Sequence, residues 1–272
     1  MATPCVMAIL AHPDDELAIA GTLAACAAEG AEVALVCATS GDLGAEEEHT
    51  PEHRERLAEE RREELRCSCR RLGIRHLQIL PYGDSGWRPE HGEPPEGSLA
   101  RASASEVIGR LVRLIRRYRP QAVITFGPDG LYGHRDHIAI GAYATAAFGA
   151  ARDETLYTAD MQAGLSPWRA RRLFFMGISD VQRQMLMGHT GAAAVGQVTH
   201  TLDTGPHLRA KIDAAHCHET QKAMWEQLEG LLEMEEYRRI AATECLMLAV
   251  DRAPAQPGEL PQGTILRHVL VG

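Results

Sequence analysis

The stretch Met7-Ala8-Ile9-Leu10-Ala11-His12-Pro13-Asp14-Asp15-Glu16 places an apolar run directly before a cluster of ionisable side chains. The apolar part, Val6 to Ala11, predicts a short buried strand. Helix-forming apolar residues resume at Leu17 and continue to Gly30, which suits a helix C-cap. The cluster therefore lies where a strand leads into a helix. In an open parallel α/β sheet, that position is the carboxyl edge, where ligands bind.

The residue types in this cluster allow two interpretations. His12 and Asp15 are good ligands for a divalent metal, and Asp14 can then remain unligated and act as a base. Acidic side chains at a helix start also favour the positive end of the helix dipole without any ligand. From this stretch alone, both interpretations stay open.

A second cluster, Leu131-Tyr132-Gly133-His134-Arg135-Asp136-His137, follows another apolar run, Ala122 to Gly127. His134 and His137 are three residues apart and share a face of a first helical turn, and Asp136 can orient either ring by accepting its second N–H. The alternative is a helix start with an acidic first turn and histidines in a polar loop. Two strand ends that each carry His and Asp favour a metal site.

The chemistry of such a site follows from its ligands. Two histidines and one carboxylate leave coordination positions open, as in catalytic metal sites. A bound water then loses a proton near neutral pH and becomes a nucleophile. Asp14 is the candidate base, and a protonated His134 and Tyr132 are the candidate donors to an oxyanion.

The distribution of apolar runs predicts an α/β fold. Four strand–helix units in sequence indicate a Rossmann-like, mostly parallel sheet with helices on both faces and C-terminal elaborations, in a single domain over residues 1–272. The predicted strands of these units are Val6–Ala11, Val33–Thr39, His76–Leu80 and Ala122–Phe126. The C-terminal predictions are strands at Arg172–Ile178, Gln197–Leu202 and near Thr264–Leu270, a loop at Gly188–Gly196, and a helix from Leu208 to about Leu232.

One connection is too long for a simple turn. Tyr82 to Gly97 is rich in Gly, Pro and Glu and contains Asp84-Ser85-Gly86-Trp87. We interpret it as a candidate lid or binding loop at the border of the site.

Composition excludes several classes of protein. The chain has 272 residues, 45% of them hydrophobic, with a mean hydropathy of -0.21, and no apolar run approaches the ~20 residues of a membrane span. The net charge of -9 argues against a nucleic-acid surface. Residues 1–11 lack a basic start, so we expect no signal peptide and a cytoplasmic location. Accordingly, we expect the seven cysteines to be reduced, with Cys67 and Cys69 as core thiols.

The sequence resembles the LmbE-like or PIG-L family of zinc-dependent N-deacetylases. The motifs Ala11–Glu16 and Gly133–His137 carry this resemblance. Members of the family hydrolyse the acetamide of N-acetylglucosamine units, as in mycothiol, bacillithiol and GPI-anchor precursors, and others act on chitobiose or glycopeptide antibiotics. The resemblance implies a metal-dependent hydrolase that removes an N-acetyl or other N-acyl group from an N-acetylglucosamine-containing small molecule or glycoconjugate. It also implies one Zn²⁺ per chain, although other divalent transition metals fit these ligand types.

The resemblance also implies a role for each matching residue. It implies that His12, Asp15 and His137 bind zinc and that Asp14 is the general base. It further implies that His134 stabilises the charged intermediate and that Asp136 orients His134. The remaining implied contacts are Tyr132 to the oxyanion, Arg61 near the sugar and Asp84 to sugar hydroxyls.

The chain departs from the family pattern at a few positions. Arg135 replaces the commoner proline, Asp42 stands where many members have glutamate, and Thr220 stands where Ser is usual in His218-Glu219-Thr220-Gln221. The spacing of Lys211, His218 and Gln221 puts them on one helix face, which we predict to be solvated.

Two other functions fit part of the sequence. A non-catalytic Rossmann-like module could bind a nucleotide or a sugar, but no G-x-G-x-x-G follows the first strand. A phosphoesterase usually needs two metals, and the ligands suffice for one. The predicted partner is a small amino-sugar substrate, with no nucleic acid and no membrane span, and a homo-oligomer is left open.

Overall fold

The computed structural model describes residues 3–44, 50–87, 92–187, 196–252 and 264–270. A seven-stranded sheet with the order β3-β2-β1-β4-β5-β7-β6 forms its centre. The first five strands are parallel, and β7 is antiparallel to both β5 and β6. The strands are β1 Cys5–Leu10, β2 Glu32–Thr39, β3 His76–Tyr82, β4 Ala122–Thr125, β5 Arg172–Gly177, β6 His200–Asp203 and β7 Thr243–Asp251.

The helices form two groups. Helix α3 packs on α5, whereas α1, α2 and α8 pack together, as expected when helices cover both faces of a sheet. The predicted α/β class with a mostly parallel sheet is confirmed. The helices are α1 Ala20–Ala28, α2 Pro51–Leu72, α3 Ala104–Tyr118, α4 Gly130–Gly133, α5 Arg135–Ala150, α6 Thr158–Gln162, α7 Asp180–Met187, α8 Leu208–Ala215, α9 Lys222–Leu231, α10 Glu235–Ala241 and α11 Thr264–Leu270. Short 3-10 helices span Asp15–Ile19, Leu99–Arg101, Gly205–His207 and Glu219–Gln221.

Strand β1 occupies the middle of the parallel part of the sheet. All six of its residues are buried, and it pairs with β2 on one side and β4 on the other. Its apolar sequence is what a strand covered on both faces requires. The strand order reverses between β1 and β4, so this edge is the topological switch point of the sheet. The two predicted clusters follow β1 and β4 and therefore meet there.

The C-terminal part differs from the prediction in two segments. Residues 264–270 form a helix, not a strand, because Ile265, Leu266, Val269 and Leu270 are the buried positions and have helical spacing. The carboxylate of Glu29 accepts from the backbone N–H groups of Ile265 and Leu266 at 3.3 and 2.8 Å. Strand β7 was not predicted. Residues 188–195 of the predicted loop Gly188–Gly196 and residues 88–91 of the candidate binding loop Tyr82–Gly97 lie outside the described residues.

The predicted helix from Leu208 to Leu232 is interrupted. Helix α8 ends at Ala215, and α9 begins at Lys222. Between them His218 is fully buried, and Cys217 forms a disulfide with Cys67 of α2. The prediction of reduced core thiols is therefore wrong for Cys67, which is partly exposed and bonded. The other cysteines, Cys5, Cys26, Cys37, Cys69 and Cys245, are free and buried.

The predicted solvated face is also wrong. Lys211 donates to the buried carboxylate of Glu244 at 2.9 Å, and His218 points into the interior. Glu244 in turn accepts from the backbone N–H groups of Gly21 and Thr22 and so caps the start of α1. No helix within the described ranges is long and apolar enough to cross a membrane.

Candidate active site

Asp15 is fixed by the backbone that precedes it. Its Oδ2 atom accepts from the N–H groups of Ala11 and His12 at 3.0 and 2.7 Å. Burial favours the neutral carboxyl, but the adjacent His137 and His12 outweigh it and hold the pKa of Asp15 well below its usual range. The side chain is therefore an ionised carboxylate whose Oδ1 atom faces His137.

His137 lies on the first turn of α5 and is fully buried. Its Nδ1 is 3.1 Å from the carbonyl oxygen of Gly130, to which it donates, and its ring stacks on Phe126 with a centroid distance of 3.8 Å. This pairing leaves the lone pair on Nε2, as metal-ligating histidines require. The Nε2 atom lies 3.1 Å from Asp15 Oδ1 and 3.2 Å from His12 Nδ1.

His12 lies beside both of these side chains, those of Asp15 and His137. Its Nδ1 atom lies 3.6 Å from Asp15 Oδ2. Ligands at 2.0–2.2 Å from a tetrahedral ion are about 3.3–3.6 Å apart, so these side chains fit a single cation. Two sets of three side chains have ligand atoms that all lie within 4.8 Å of one another: His12, His134 and His137, and His12, Asp84 and Asp136. His12 and His137 belong to the first set, and Asp15 belongs to neither.

The carboxylate of Asp136 has a different partner from the one predicted. It lies 3.2 Å from His12 Nε2 and accepts from the backbone N–H of Ser85 at 2.8 Å and from the Ser85 hydroxyl. In this structure its side chain contacts His12, not His134 or His137. Carboxylate–histidine pairs of this kind orient a ligand ring and raise its basicity. Ser85 is a residue that the sequence prediction missed, although its loop was singled out.

The surroundings of His12 favour positive charge. Burial lowers its pKa, but the carboxylates of Asp84, Asp136 and Asp15 outweigh burial and raise it to about 10. Three carboxylates around one buried ring make a negative pocket, which favours a bound cation.

His134 is the N-cap of α5. Its Nδ1 accepts from the backbone N–H of Asp136 at 3.1 Å, so a neutral ring carries its proton on Nε2. Burial, with the charges of His12 and His137 added, lowers the pKa of His134 to about 3. A neutral His134 can donate only from Nε2, because Nδ1 already accepts from the backbone.

Asp14 is paired with Arg61 of α2. Their side chains meet at 2.8 Å, and Arg61 also donates to the carbonyl oxygens of Pro13 and Gly41. Burial raises the pKa of Asp14 to about 6 against the opposing effect of Arg61. Arg61 was predicted near the sugar, but it is 2% exposed and its described contacts hold Asp14 and the loop that follows β2.

The exposed rim of the site is aromatic. Trp87 and Tyr132 are 52% and 40% exposed, and their rings lie 5.2 Å apart. Partial enclosure of its hydroxyl and the carboxylates of Asp15 and Asp14 raise the pKa of Tyr132, which stays protonated and able to donate. Asp84 is buried below the rim, with Oδ1 accepting from Gly86 N–H at 2.8 Å and lying 3.7 Å from His12 Nε2.

A buried group beside the cluster was also missed. The carboxylate of Glu16 accepts from Ser68 Oγ and pairs with His218 Nε2, each at 2.6 Å. The signal for Ser68 was present, because it shares the helical spacing of Leu65 and Leu72 and so lies on the buried stripe of α2. Nothing in the local sequence of His218 indicates its burial.

The geometry defines a class of protein: a Rossmann-like α/β chain with a His/Asp cluster of metal-binding type at its switch point. Comparison with known proteins agrees. Residues 7–148 match the family described as GlcNAc-PI de-N-acetylase, PIG-L. A curated relative, the 1D-myo-inositol 2-acetamido-2-deoxy-alpha-D-glucopyranoside deacetylase of Actinosynnema mirum, is 32% identical over 241 residues, 84% of each chain.

Two solved structures share the fold. The N,N'-diacetylchitobiose deacetylase of Pyrococcus horikoshii has a TM-score of 0.69 at 22% identity and covers 90% of this chain and 84% of its own. The 4-carboxy-2-hydroxymuconate hydratase of Pseudomonas putida has a TM-score of 0.66 at 19% identity, with 93% and 99% covered. Since the second catalyses a different reaction, the fold alone does not determine the chemistry.

The chain belongs to the PIG-L family. Its match to that family and its deacetylase relatives make it an N-deacetylase, that is, an amide hydrolase.

Proposed function

We propose that this protein removes the N-acetyl, or another N-acyl, group from an N-acetylglucosamine-containing small molecule. The observation that carries the proposal is the convergence of His12, Asp15 and His137 beside the carboxylate of Asp14. The Nε2 atom of His137 lies 3.1 Å from Asp15 Oδ1 and 3.2 Å from His12 Nδ1, and His12 Nδ1 lies 3.6 Å from the other carboxylate oxygen, Asp15 Oδ2. The name of the Actinosynnema mirum relative, which is an acetamido-sugar deacetylase, supports this substrate class.

His12, Asp15 and His137 would hold one divalent cation, for which we propose zinc. The Nδ1 atom of His137 donates to the carbonyl of Gly130, so its Nε2 atom is the one available to a cation. The Nδ1 atom of His12 faces His137, and Asp136 contacts the Nε2 atom of His12. Iron or cobalt would also fit two imidazoles and a carboxylate. The bound cation would supply Lewis acidity and lower the pKa of a water molecule.

The chain's own residues would perform the proton transfers. Asp14 would take a proton from the attacking water and return it to the nitrogen as the amide C–N bond breaks, which yields a free amine and acetate. The Tyr132 hydroxyl and the neutral His134 would donate to the carbonyl oxygen as negative charge develops on it. Arg61 would keep the Asp14 carboxylate in place by the ion pair described above.

The loop that begins at Tyr82 would bind the sugar. Trp87 is exposed at the rim and offers a face on which a sugar ring can stack. Asp84 would accept from sugar hydroxyls, and Arg61 would act on the sugar only through Asp14. Asp84→Ala should then weaken turnover of the sugar substrate and leave the metal content intact. Unchanged turnover of every active substrate would make Asp84 a turn residue only.

The test is a hydrolysis screen of N-acetylglucosamine conjugates, with release of the primary amine as the readout. We expect one conjugate class to be turned over, chelation to abolish the activity, and Zn²⁺ to restore it. A protein that binds these conjugates without releasing amine, before and after metal addition, would be the non-catalytic sugar-binding module instead. Release of phosphate from phosphoester substrates would favour a phosphoesterase.

We keep the single-domain organisation over residues 1–272 and the cytoplasmic location as predictions. The five buried free thiols agree with a reducing compartment, whereas the Cys67–Cys217 disulfide favours an oxidising one. Cell fractionation combined with thiol labelling would decide the location, and sedimentation would decide the oligomeric state.

A further inference from the structure

The backbone of Asp14 has an unusual conformation. Its φ of 108° and ψ of -23° lie in the left-handed region, which L residues other than glycine rarely adopt. Such a conformation persists only where the surrounding structure imposes it, and it is frequent at functional sites. The contacts that impose it therefore decide where the Asp14 carboxylate points.

Glu16 supplies one of these contacts. Its Oε2 atom accepts from the backbone N–H of Asp14 at 3.0 Å, and Leu17 donates to the Asp14 carbonyl at 2.9 Å. The Glu16 side chain is fully buried, so its carboxylate needs protein partners to replace water.

The partners of Glu16 come from two distant parts of the chain. Ser68 belongs to α2, and His218 lies between α8 and the 3-10 helix at Glu219–Gln221. Both reach Glu16 Oε1 at 2.6 Å, and both are fully buried. Helix α2 thus holds Asp14 twice: Arg61 binds its side chain, and Ser68 binds the carboxylate that binds its backbone.

We propose that His218 and Ser68 are positioning residues that act through Glu16 on the general base Asp14. This inference rests on the proposed function, because it assigns the Asp14 carboxylate a role in catalysis. The role is one of geometry: without His218, Glu16 loses a donor, the Asp14 backbone relaxes from the left-handed region, and the carboxylate leaves its position. A displacement of about 1 Å at a catalytic group can reduce a rate by about 10²-fold.

The test uses substitutions at His218 and a matched control. His218→Leu should lower kcat by about 10- to 100-fold with KM and metal content unchanged. His218→Gln should recover most of the activity, because the glutamine amide can donate from the same place. Ser68→Ala should show a smaller loss of the same kind. Thr220→Ala is the control. It removes the 2.7 Å hydrogen bond from Thr220 Oγ1 to Glu64 of α2, a bond that does not involve Glu16. The kcat of this variant should stay within about twofold of the wild-type value.

A double-mutant cycle separates this role from a merely structural one. In an Asp14→Asn background, His218→Leu should cause little additional loss of kcat, because the residue through which it acts is already disabled. Equal losses in both backgrounds would overturn the positioning role and leave the proposed function standing. Full activity of Asp14→Asn alone would overturn the role of Asp14 and this inference with it.

A structural readout does not depend on turnover. A crystal structure of His218→Leu should show the Asp14 backbone outside the left-handed region. If His218→Leu does not fold, the same structure and kinetics of Ser68→Ala and His218→Gln test the inference. Asp14 with an unchanged backbone and unchanged kcat in all folded variants would refute it.

Discussion

Single residues in this site carry two kinds of contact, one to the candidate cluster and one to the scaffold. Asp15 presents one oxygen to His137 and is fixed through the other by two backbone N–H groups. His137 and His12 each use one ring nitrogen for the cluster and the other for a protein acceptor. Substitutions of residues in the candidate cluster and of residues that orient them should therefore have different effects.

Asp14→Asn tests the proposed base. The amide keeps the shape of the carboxyl group and removes its basicity, so the variant should keep its metal and lose activity by about 10²–10⁴-fold. Metal analysis and steady-state kinetics of the purified variant would measure both. Near-wild-type turnover with metal bound would contradict the assignment, and loss of the metal would instead show that Asp14 and Asp15 have exchanged roles.

Asp136→Asn tests the orientation of His12. The carboxylate that faces His12 Nε2 at 3.2 Å loses its charge, so metal affinity should fall by about 10- to 100-fold. Competition with a chelating dye would measure the affinity. The control is Asp203→Asn on β6, an exposed carboxylate whose loss should leave the affinity unchanged. Equal affinity in Asp136→Asn and wild type would remove Asp136 from the site.

At the scale of helices and strands, the sequence predicts best where burial is uniform. Strands β1, β2 and β4 are apolar runs that are buried along all or nearly all of their length, and their existence and direction follow from that pattern. The broken helix after Ala215 could not be predicted in this way. What interrupts it is the burial of His218 against Glu16 and the bond of Cys217 to Cys67, and both are long-range contacts.

Helix α5 approaches the end of β4 closely, and Gly141 makes this possible. A Cβ atom at Gly141 would lie 2.5 Å from the carbonyl oxygen of Phe126, whose ring stacks on His137. Gly141→Ala should therefore displace α5 and lower the free energy of unfolding by about 1–3 kcal/mol. It should also weaken metal binding, since His137 moves with the helix.

Gly149→Ala in the same helix is the matched control. No atom lies within 4 Å of a Cβ at this position, and alanine is the better helix former, so the variant should be about 0.5–1 kcal/mol more stable. Denaturant unfolding of both variants measures the difference. Equal free energies of unfolding in Gly141→Ala and Gly149→Ala would show that the displacement of α5 does not destabilise the fold.

At the scale of the whole molecule, the site depends on the order of the strands. The two motifs are more than a hundred residues apart, and they meet because β1 and β4 are neighbours at the switch point. The two candidate clusters could be predicted for this reason, since each follows a recognisable strand, whereas the choice of His137 over His134 as a ligand came from the resemblance to the family. The roles of Ser85, Ser68 and His218 could not be predicted, because they depend on which loop or helix packs behind the strand end. For Ser68, the helical spacing indicates burial but not its partner.

The Cys67–Cys217 disulfide links two residues that are 150 positions apart in the sequence, with their Cα atoms 5.7 Å apart. Both cysteines are partly exposed, so a dithiol can reach the bond. Because the link restricts the unfolded chain, replacing both cysteines by serine should lower the free energy of unfolding by about 2–4 kcal/mol. Denaturant unfolding without reductant measures this loss.

The same experiment with reductant supplies the control. Dithiothreitol should bring the stability of the wild type close to that of the double variant and leave the variant itself unchanged, since its other five cysteines are free and buried. Cys217 precedes His218 in the chain, so the disulfide also restrains the segment that contains His218. Reduction should therefore lower the kcat of the wild type and leave the kcat of the double variant unchanged. Seven reactive thiols in wild-type protein that is denatured without reductant would show that the bond does not form, and the interrupted helix would then depend on the contact between His218 and Glu16.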